Sequence, residues 1–274
     1  MKRAVYIVLI LFFGIFKADY CAHKAWGADD QWQELKGKHF LLQYNYAQDS
    51  GLANNMLHMA EEYYTKIADE IGYARLRDFW TWEKRVKVLM FSDEEIFTRI
   101  THQPSWSRGF TVRHSDLFHT KVIITYKQEE RFLEDVLPHE IAHLLLHDFI
   151  GFDQPIVLWF DEGVAQLFER NQDPKSRQMM AELVRQHRHV PFEVLDKFLI
   201  DGKASQQETT IFYIQSFYIV EFLIKVYGLE SFRSLCRNLR DGKSFEEALR
   251  RAYYPAVDSM KSLEQKWLAY MVNN

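Results

Sequence analysis

The stretch His139-Glu140-Ile141-Ala142-His143 constrains this chain more than any other. It reads H-E-x-x-H, and a four-residue step is just over one helical turn. On a helix both imidazoles therefore face the same way, with Glu140 beside them. Two imidazoles so placed can grip one metal ion. Zinc suits two neutral imidazoles plus a carboxylate, and a catalytic zinc keeps a fourth position for water. The candidate carboxylate is Glu162, in Trp159-Phe160-Asp161-Glu162-Gly163-Val164-Ala165, with eighteen residues between His143 and Glu162. Taken alone, the pentad is also what an amphipathic helix with two partly exposed histidines would carry.

The second segment changes that balance. W-F-D-E-G-V-A at this distance resembles the W-x-x-E-G-x-A signature of gluzincin metallopeptidases, and the eighteen-residue spacing is that of aminopeptidase-N-type members. Leu137-Pro138 through Phe168-Glu169 is similar to the peptidase MA-like group of that clan. The close match covers residues 133 to 170. A weaker one continues through Tyr213-Ile214-Gln215-Ser216, a Y-G pair and a final helix containing Lys266-Trp267-Leu268.

The resemblance implies a Zn2+ ion held by His139, His143 and Glu162, and a peptide or protein substrate. Glu140, directly after the first ligand, would take the proton of an attacking water and return it to the departing amine. Tyr213, the tyrosine of Y-x-Q-S, is the candidate donor to the oxyanion. Its neighbours Phe212, Phe217 and Tyr218 equally suit a packed aromatic core. Metal-bound histidines usually donate their other N–H to a carboxylate or carbonyl. Asp161, Gln166 and Glu169 are the candidates for that task.

Two departures limit the resemblance. Aminopeptidase-N-type enzymes carry a G-x-M-E-N strand whose glutamate holds the substrate's free amino terminus. The comparable strand here, His119 to Tyr126 (HTKVIITY), has no acidic residue. An endopeptidase is therefore favoured over an aminopeptidase. His147 lies near the face of His143, but Leu146 and Phe149 stand where metzincins need a glycine and a third histidine. His147 reads as a helix-end residue and not a ligand.

The N-terminus suggests export. Lys2-Arg3 precedes an apolar run from Ala4 to Phe16 that Lys17 closes. That run is short for a membrane span and right for a secretory signal, with Ala25-Trp26-Gly27 as a cleavage site. Residues 1–27 are accordingly expected to be a signal peptide, placing the protein in a periplasmic or extracellular compartment. If retained, the run would tie the protein to a membrane. Asp19-Tyr20 before Cys21 does not form a lipobox. Cleavage would leave Cys236 alone, so no internal disulfide is expected, and Cys236 falls in an apolar helical pattern with Phe232, Leu235 and Leu239. No N-x-S/T sequon occurs, which favours a bacterial envelope. The net charge of −4 carries no basic block, which argues against nucleic acid. Seven Trp and twenty-one Phe point to a large aromatic core.

Strands are expected early and helices late, which is the α+β pattern. Residues 28–128 would form an N-terminal part, with strands at Phe40–Tyr44, Arg85–Phe91 and Lys121–Tyr126 and a helix at Gly51–Ile71. Ser92 and Glu95 read as the capping box of a short helix, and His102 to Leu117 as a loop. Residues 129–274 would form the helical part, from a helix over Arg131–Phe149 that Pro138 kinks or truly starts. Later helices are expected at Leu158–Arg170, Pro174–His187, Phe192–Leu199, Thr210–Tyr227, Leu229–Leu239, Ser244–Tyr253 and Ser259–Met271. The resemblance implies a zincin-like arrangement of these parts: a small mixed β-sheet, a mostly helical C-terminal half and the zinc site in the cleft between. Lys121–Tyr126 is the candidate edge strand for pairing with an extended substrate, or else an ordinary interior strand. Two other functions fit the same residues: a non-catalytic binding or assembly module of the cell envelope, and a zinc hydrolase of a non-peptide substrate.

Overall fold

The computed structural model describes residues 32–44, 50–73, 80, 84–102, 109–113, 121–127, 132–151, 154–170, 173–198 and 204–273. The expected signal peptide, Cys21 and the cleavage site at Gly27 lie outside the described residues. The described chain divides into two compact units, one of residues 32–66 and 80–141, the other of 67–73 and 142–273. Strands are confined to the first and most helices to the second, the α+β arrangement expected.

The first unit is built on a five-stranded mixed sheet: β1 (Gln33–Lys36), β2 (Phe40–Tyr44), β3 (Val86–Phe91), β4 (Gly109–Arg113) and β5 (Lys121–Tyr126), in the order β1-β2-β3-β5-β4. β2, β3 and β5 run parallel, while β1 and β4 pair antiparallel at the two sides. The period-2 alternation decides which side chains go inward. Phe40, Leu42 and Tyr44 of β2 are buried, as are Val86, Val88 and Met90 of β3. Helix α1 (Ser50–Ile71) offers Ala53, Met56, Ala60 and Tyr64 at helical spacing, all buried. The Tyr64 and Phe40 rings meet edge to face at 6.4 Å, and Trp80 joins both.

Two expectations for this unit are corrected. Residues 109–113 lie in the segment expected to be a loop, yet they form β4, with Thr111 opposite Ile123. The brief alternation of Phe110 and Val112 with Thr111 and Arg113 is hidden by the Pro, Ser and Gly around it. Since β4 pairs with β5, Lys121–Tyr126 is an interior strand and not the edge. The short helix α2 (Glu94–Thr101) is capped by Asp93, not by Ser92. Asp93 Oδ1 accepts from the Ile96 N–H at 2.9 Å, and Ser92 Oγ donates to Asp93 Oδ2 at 2.8 Å.

A π-helical turn, Phe132–Val136, leads into α3 (Leu137–Ile150). The helical run is unbroken from Phe132 to Ile150, as expected, and Pro138 sits where the π-helical turn gives way to α-helix. Pro138 has no N–H to give and its ring would crowd the carbonyl four residues back, which the wider turn before it relieves. Gly151, at φ +109°, closes α3 with its N–H on the His147 carbonyl at 2.8 Å.

The second unit adds α4 (Leu158–Gln166), α5 (Pro174–Arg185), α6 (Phe192–Leu195), α7 (Gln206–Tyr227), α8 (Leu229–Arg240), α9 (Phe245–Tyr253) and α10 (Met260–Asn273). α4 stops four residues short of the expected Arg170, because Leu167, Phe168 and Glu169 bond three residues back in tighter turns. α7 starts four residues before the expected Thr210, at a capping box in which Ser205 and Glu208 satisfy each other's backbone N–H. It is long and apolar enough to cross a membrane, but it packs inside this unit with Phe212, Tyr213, Phe217, Ile219 and Leu223 buried. Trp159, Phe160 and Phe245 form a second aromatic cluster, with ring centroids 5.1 to 6.0 Å apart.

Candidate metal centre

His139 and His143 sit one turn apart on α3, as their spacing requires, and Glu162 lies on α4. All three are buried, and their ligand atoms lie within 4.8 Å of one another. His143 Nε2 is 3.6 Å from Glu162 Oε2. Two ligands held about 2.0–2.1 Å from one tetrahedral ion stand roughly 3.3 Å apart, so this separation suits a shared metal. The donor set fits as well: two imidazoles and a carboxylate, taken out of water together, form a poor packing core but a good chelate.

Asp161 selects the nitrogen. Its Oδ1 lies 2.7 Å from His143 Nδ1, and its Oδ2 lies 2.6 Å from His147 Nε2. An ionised carboxylate only accepts, so both histidines donate to it. The Nδ1–H of His143 is thereby committed to Asp161, which leaves Nε2 as the atom that faces the cluster. Burial pushes the Asp161 carboxyl up, but the two imidazoles outweigh it and hold the group well below the usual range. Burial likewise pulls His143 down, and the Asp161 and Glu162 carboxylates more than reverse it, leaving the imidazole well above its ordinary value.

Of the three residues considered for this orienting task, Asp161 is the one that bonds His143. Gln166 instead donates to the backbone oxygens of Glu162 at 3.2 Å and Tyr213 at 3.0 Å, tying α4 to α7. Glu169 falls in the turns beyond the end of α4. His147 is not a mere helix-end residue: it is buried and bonded to Asp161. Its i+4 offset from His143 was the available signal, but only folding brings Asp161 between the two.

Glu140 is buried on α3 and accepts a hydrogen bond at Oε2 from the Thr111 hydroxyl on β4. Thr111 is a residue that sequence reasoning missed, because the strand carrying it was not legible. Tyr213 is buried on α7, its ring edge to face with Phe212 at 5.6 Å.

Gly163 sets how closely α4 approaches α7. A Cβ there would stand 2.4 Å from the Ser216 carbonyl oxygen and 2.6 Å from Val220 Cγ2. Only glycine lets the two helix backbones meet at that distance, and Glu162 is the next residue along.

A helix-borne His/His pair enclosing a glutamate, joined by a glutamate from the following helix, defines a metal-dependent hydrolase of the gluzincin kind. The chain belongs to the Peptidase MA superfamily, whose sequence model matches residues 81–273, and it is a metallopeptidase of that superfamily. A comparison with curated proteins finds no match.

Proposed function

We propose that this protein is an exported zinc endopeptidase. The observation that carries the reading is the buried His139/His143/Glu162 cluster with Glu140 beside it. Zinc is the metal that two imidazoles and one carboxylate favour, with His139, His143 and Glu162 as its ligands. When bound, zinc supplies Lewis acidity, lowering the pKa of water to about 7 and polarising a carbonyl.

Glu140 is the general base. It takes one proton from the attacking water as the C–O bond forms, then delivers it to the amine nitrogen as the C–N bond breaks. Thr111 holds that carboxylate in place through Oε2. Tyr213 donates its phenolic proton to the oxyanion as charge develops there. Support for this role is its burial on α7, the helix whose backbone is tied to α4 by Gln166.

Among the described residues, β4 is the last strand on its side of the sheet. An extended substrate pairing along it would pass the residue that holds Glu140. Neither β4 (GFTVR) nor β5 (KVIITY) carries an acidic side chain to anchor a free amino terminus, which favours internal cleavage. Export to a periplasmic or extracellular compartment rests on Lys2-Arg3 and the Ala4–Phe16 run.

The test combines metal content with cleavage of internally quenched peptides whose amino termini are blocked. About one zinc per chain, chelator-sensitive cleavage and an inert but zinc-loaded Glu140→Gln are expected. A zinc-loaded parent that cleaves no member of a broad peptide library would refute the endopeptidase reading.

A further inference from the structure

We propose that His147 is a positioning residue of the metal centre, pinning Asp161 so that Asp161 presents His143 to the metal. This inference rests on the zinc reading above and deepens it.

Three side chains on one helix face, His139, His143 and His147, recur every four residues. Only the first two belong to the ligand cluster. The third cannot use its Nε2 for the same ion, because that atom lies 2.6 Å from Asp161 Oδ2. It acts on the carboxylate instead. Asp161 enters from α4 between His143 and His147, and its two oxygens divide between them.

A carboxylate held at one oxygen can still turn about its terminal torsion, which is broad and two-fold. Held at both, its plane is fixed, and so is the direction in which Oδ1 receives His143 Nδ1–H. The imidazole ring then has one orientation, with Nε2 3.6 Å from Glu162 Oε2. Asp161 and Glu162 are adjacent on α4, so one short stretch brings both the ligand and the group that aims its partner. His147 also meets a desolvation requirement. Asp161 is buried, and a carboxylate oxygen out of water needs a donor.

The test measures zinc affinity of the full-length protein by competition with a chromophoric chelator. The variants are His147→Gln and His147→Leu, with His139→Ala as the ligand-loss control. Cobalt(II) spectra report the ligand field, and imidazole 15N spectra of the zinc-loaded parent report its tautomers. Glutamine places an N–H close to the histidine Nε2 and so restores the donor; leucine fills space without one. His147→Leu is expected to bind zinc about 10- to 100-fold more weakly, with a shifted cobalt spectrum. His147→Gln is expected to stay within roughly threefold of the parent, since it keeps the hydrogen bond. In the zinc-loaded parent, His147 is expected as an Nε2–H protected from exchange.

Parent-like zinc affinity and cobalt spectrum in His147→Leu would overturn the proposal while leaving the zinc reading intact. So would equal losses in the Leu and Gln variants. Should His147→Leu not fold, the parent's tautomer decides: an unprotonated or freely exchanging Nε2 on His147 overturns the proposal. A parent that takes up no zinc overturns both readings.

Discussion

Gly163→Ala is the most informative single substitution, because two opposing effects have readable sizes. In an isolated helix, Ala is favoured over Gly by about 1 kcal/mol, so propensity predicts stabilisation. The fold predicts the reverse. The new Cβ would stand 2.4 Å from the Ser216 carbonyl oxygen and 2.9 Å from its carbon, and α7 backbone cannot swing aside as a flexible side chain does. Restoring an ordinary contact near 3.4 Å requires α4 and α7 to separate by about 1 Å. Overpacking of this kind destabilises by about 1–3 kcal/mol, and contact with backbone belongs at the upper end. After the propensity gain, a net loss of about 1–2 kcal/mol remains. That lowers the Tm by about 2–8 °C for a protein of this size. The same shift moves Glu162, one residue away, relative to His143. A misplacement near 1 Å at a reacting centre lowers kcat/KM by about a hundredfold. Thermal unfolding of the zinc-free protein and peptide cleavage by the loaded one measure the two effects separately. An unchanged or higher Tm with parental kcat/KM would refute the close-approach argument and leave propensity as the stronger effect.

Thr111→Val keeps the size and β-propensity of the strand residue but removes the hydroxyl that holds Glu140. Cleavage is expected to fall about tenfold or more, as for a hydrogen bond to a charged group, with zinc content unchanged. Zinc affinity is expected to rise with pH. The Asp161 and Glu162 carboxylates hold His143 well above its ordinary value despite burial, so a proton competes with the metal for Nε2. Below that raised value, affinity should fall about tenfold per pH unit for each proton displaced, and competition titrations across neutral pH would read the slope. Burial pushes the Cys236 thiol up from 9.0 to about 12. The folded state therefore keeps a proton that the unfolded state has lost between those values, and stability falls as pH rises by about 1.4 kcal/mol per unit. Denaturant titrations should show Cys236→Ala lacking that part of the slope, and iodoacetamide should leave Cys236 unmodified in the native protein.

The metal helix was legible because its information is local. His139 and His143 fall on one face by helical period alone, with Glu140 beside them. The parallel strands β2 and β3 were legible for a similar reason, since they alternate inward over five or six residues, while β5 reads as a short apolar run buried almost throughout. Glu162 stood one step further off: nothing local links it to His143, and a family pattern was needed to pair them.

The residues that aim and hold the site were decided only by the tertiary structure. Asp161, Gln166 and Glu169 were equivalent candidates in the sequence, since each is a polar residue on or near the same helix. The approach of α4 to α3 within the helical unit turns Asp161 onto His143 and His147 together. Thr111 and Glu140 are 29 residues apart in sequence, and only the placing of β4 beside β5 brings the hydroxyl to the carboxylate. The same pairing decided between the two readings open for β5 and made it an interior strand. A helical period repeats within a few residues and writes itself into the chain. A hydrogen bond between distant segments exists only once the backbone has brought its partners together.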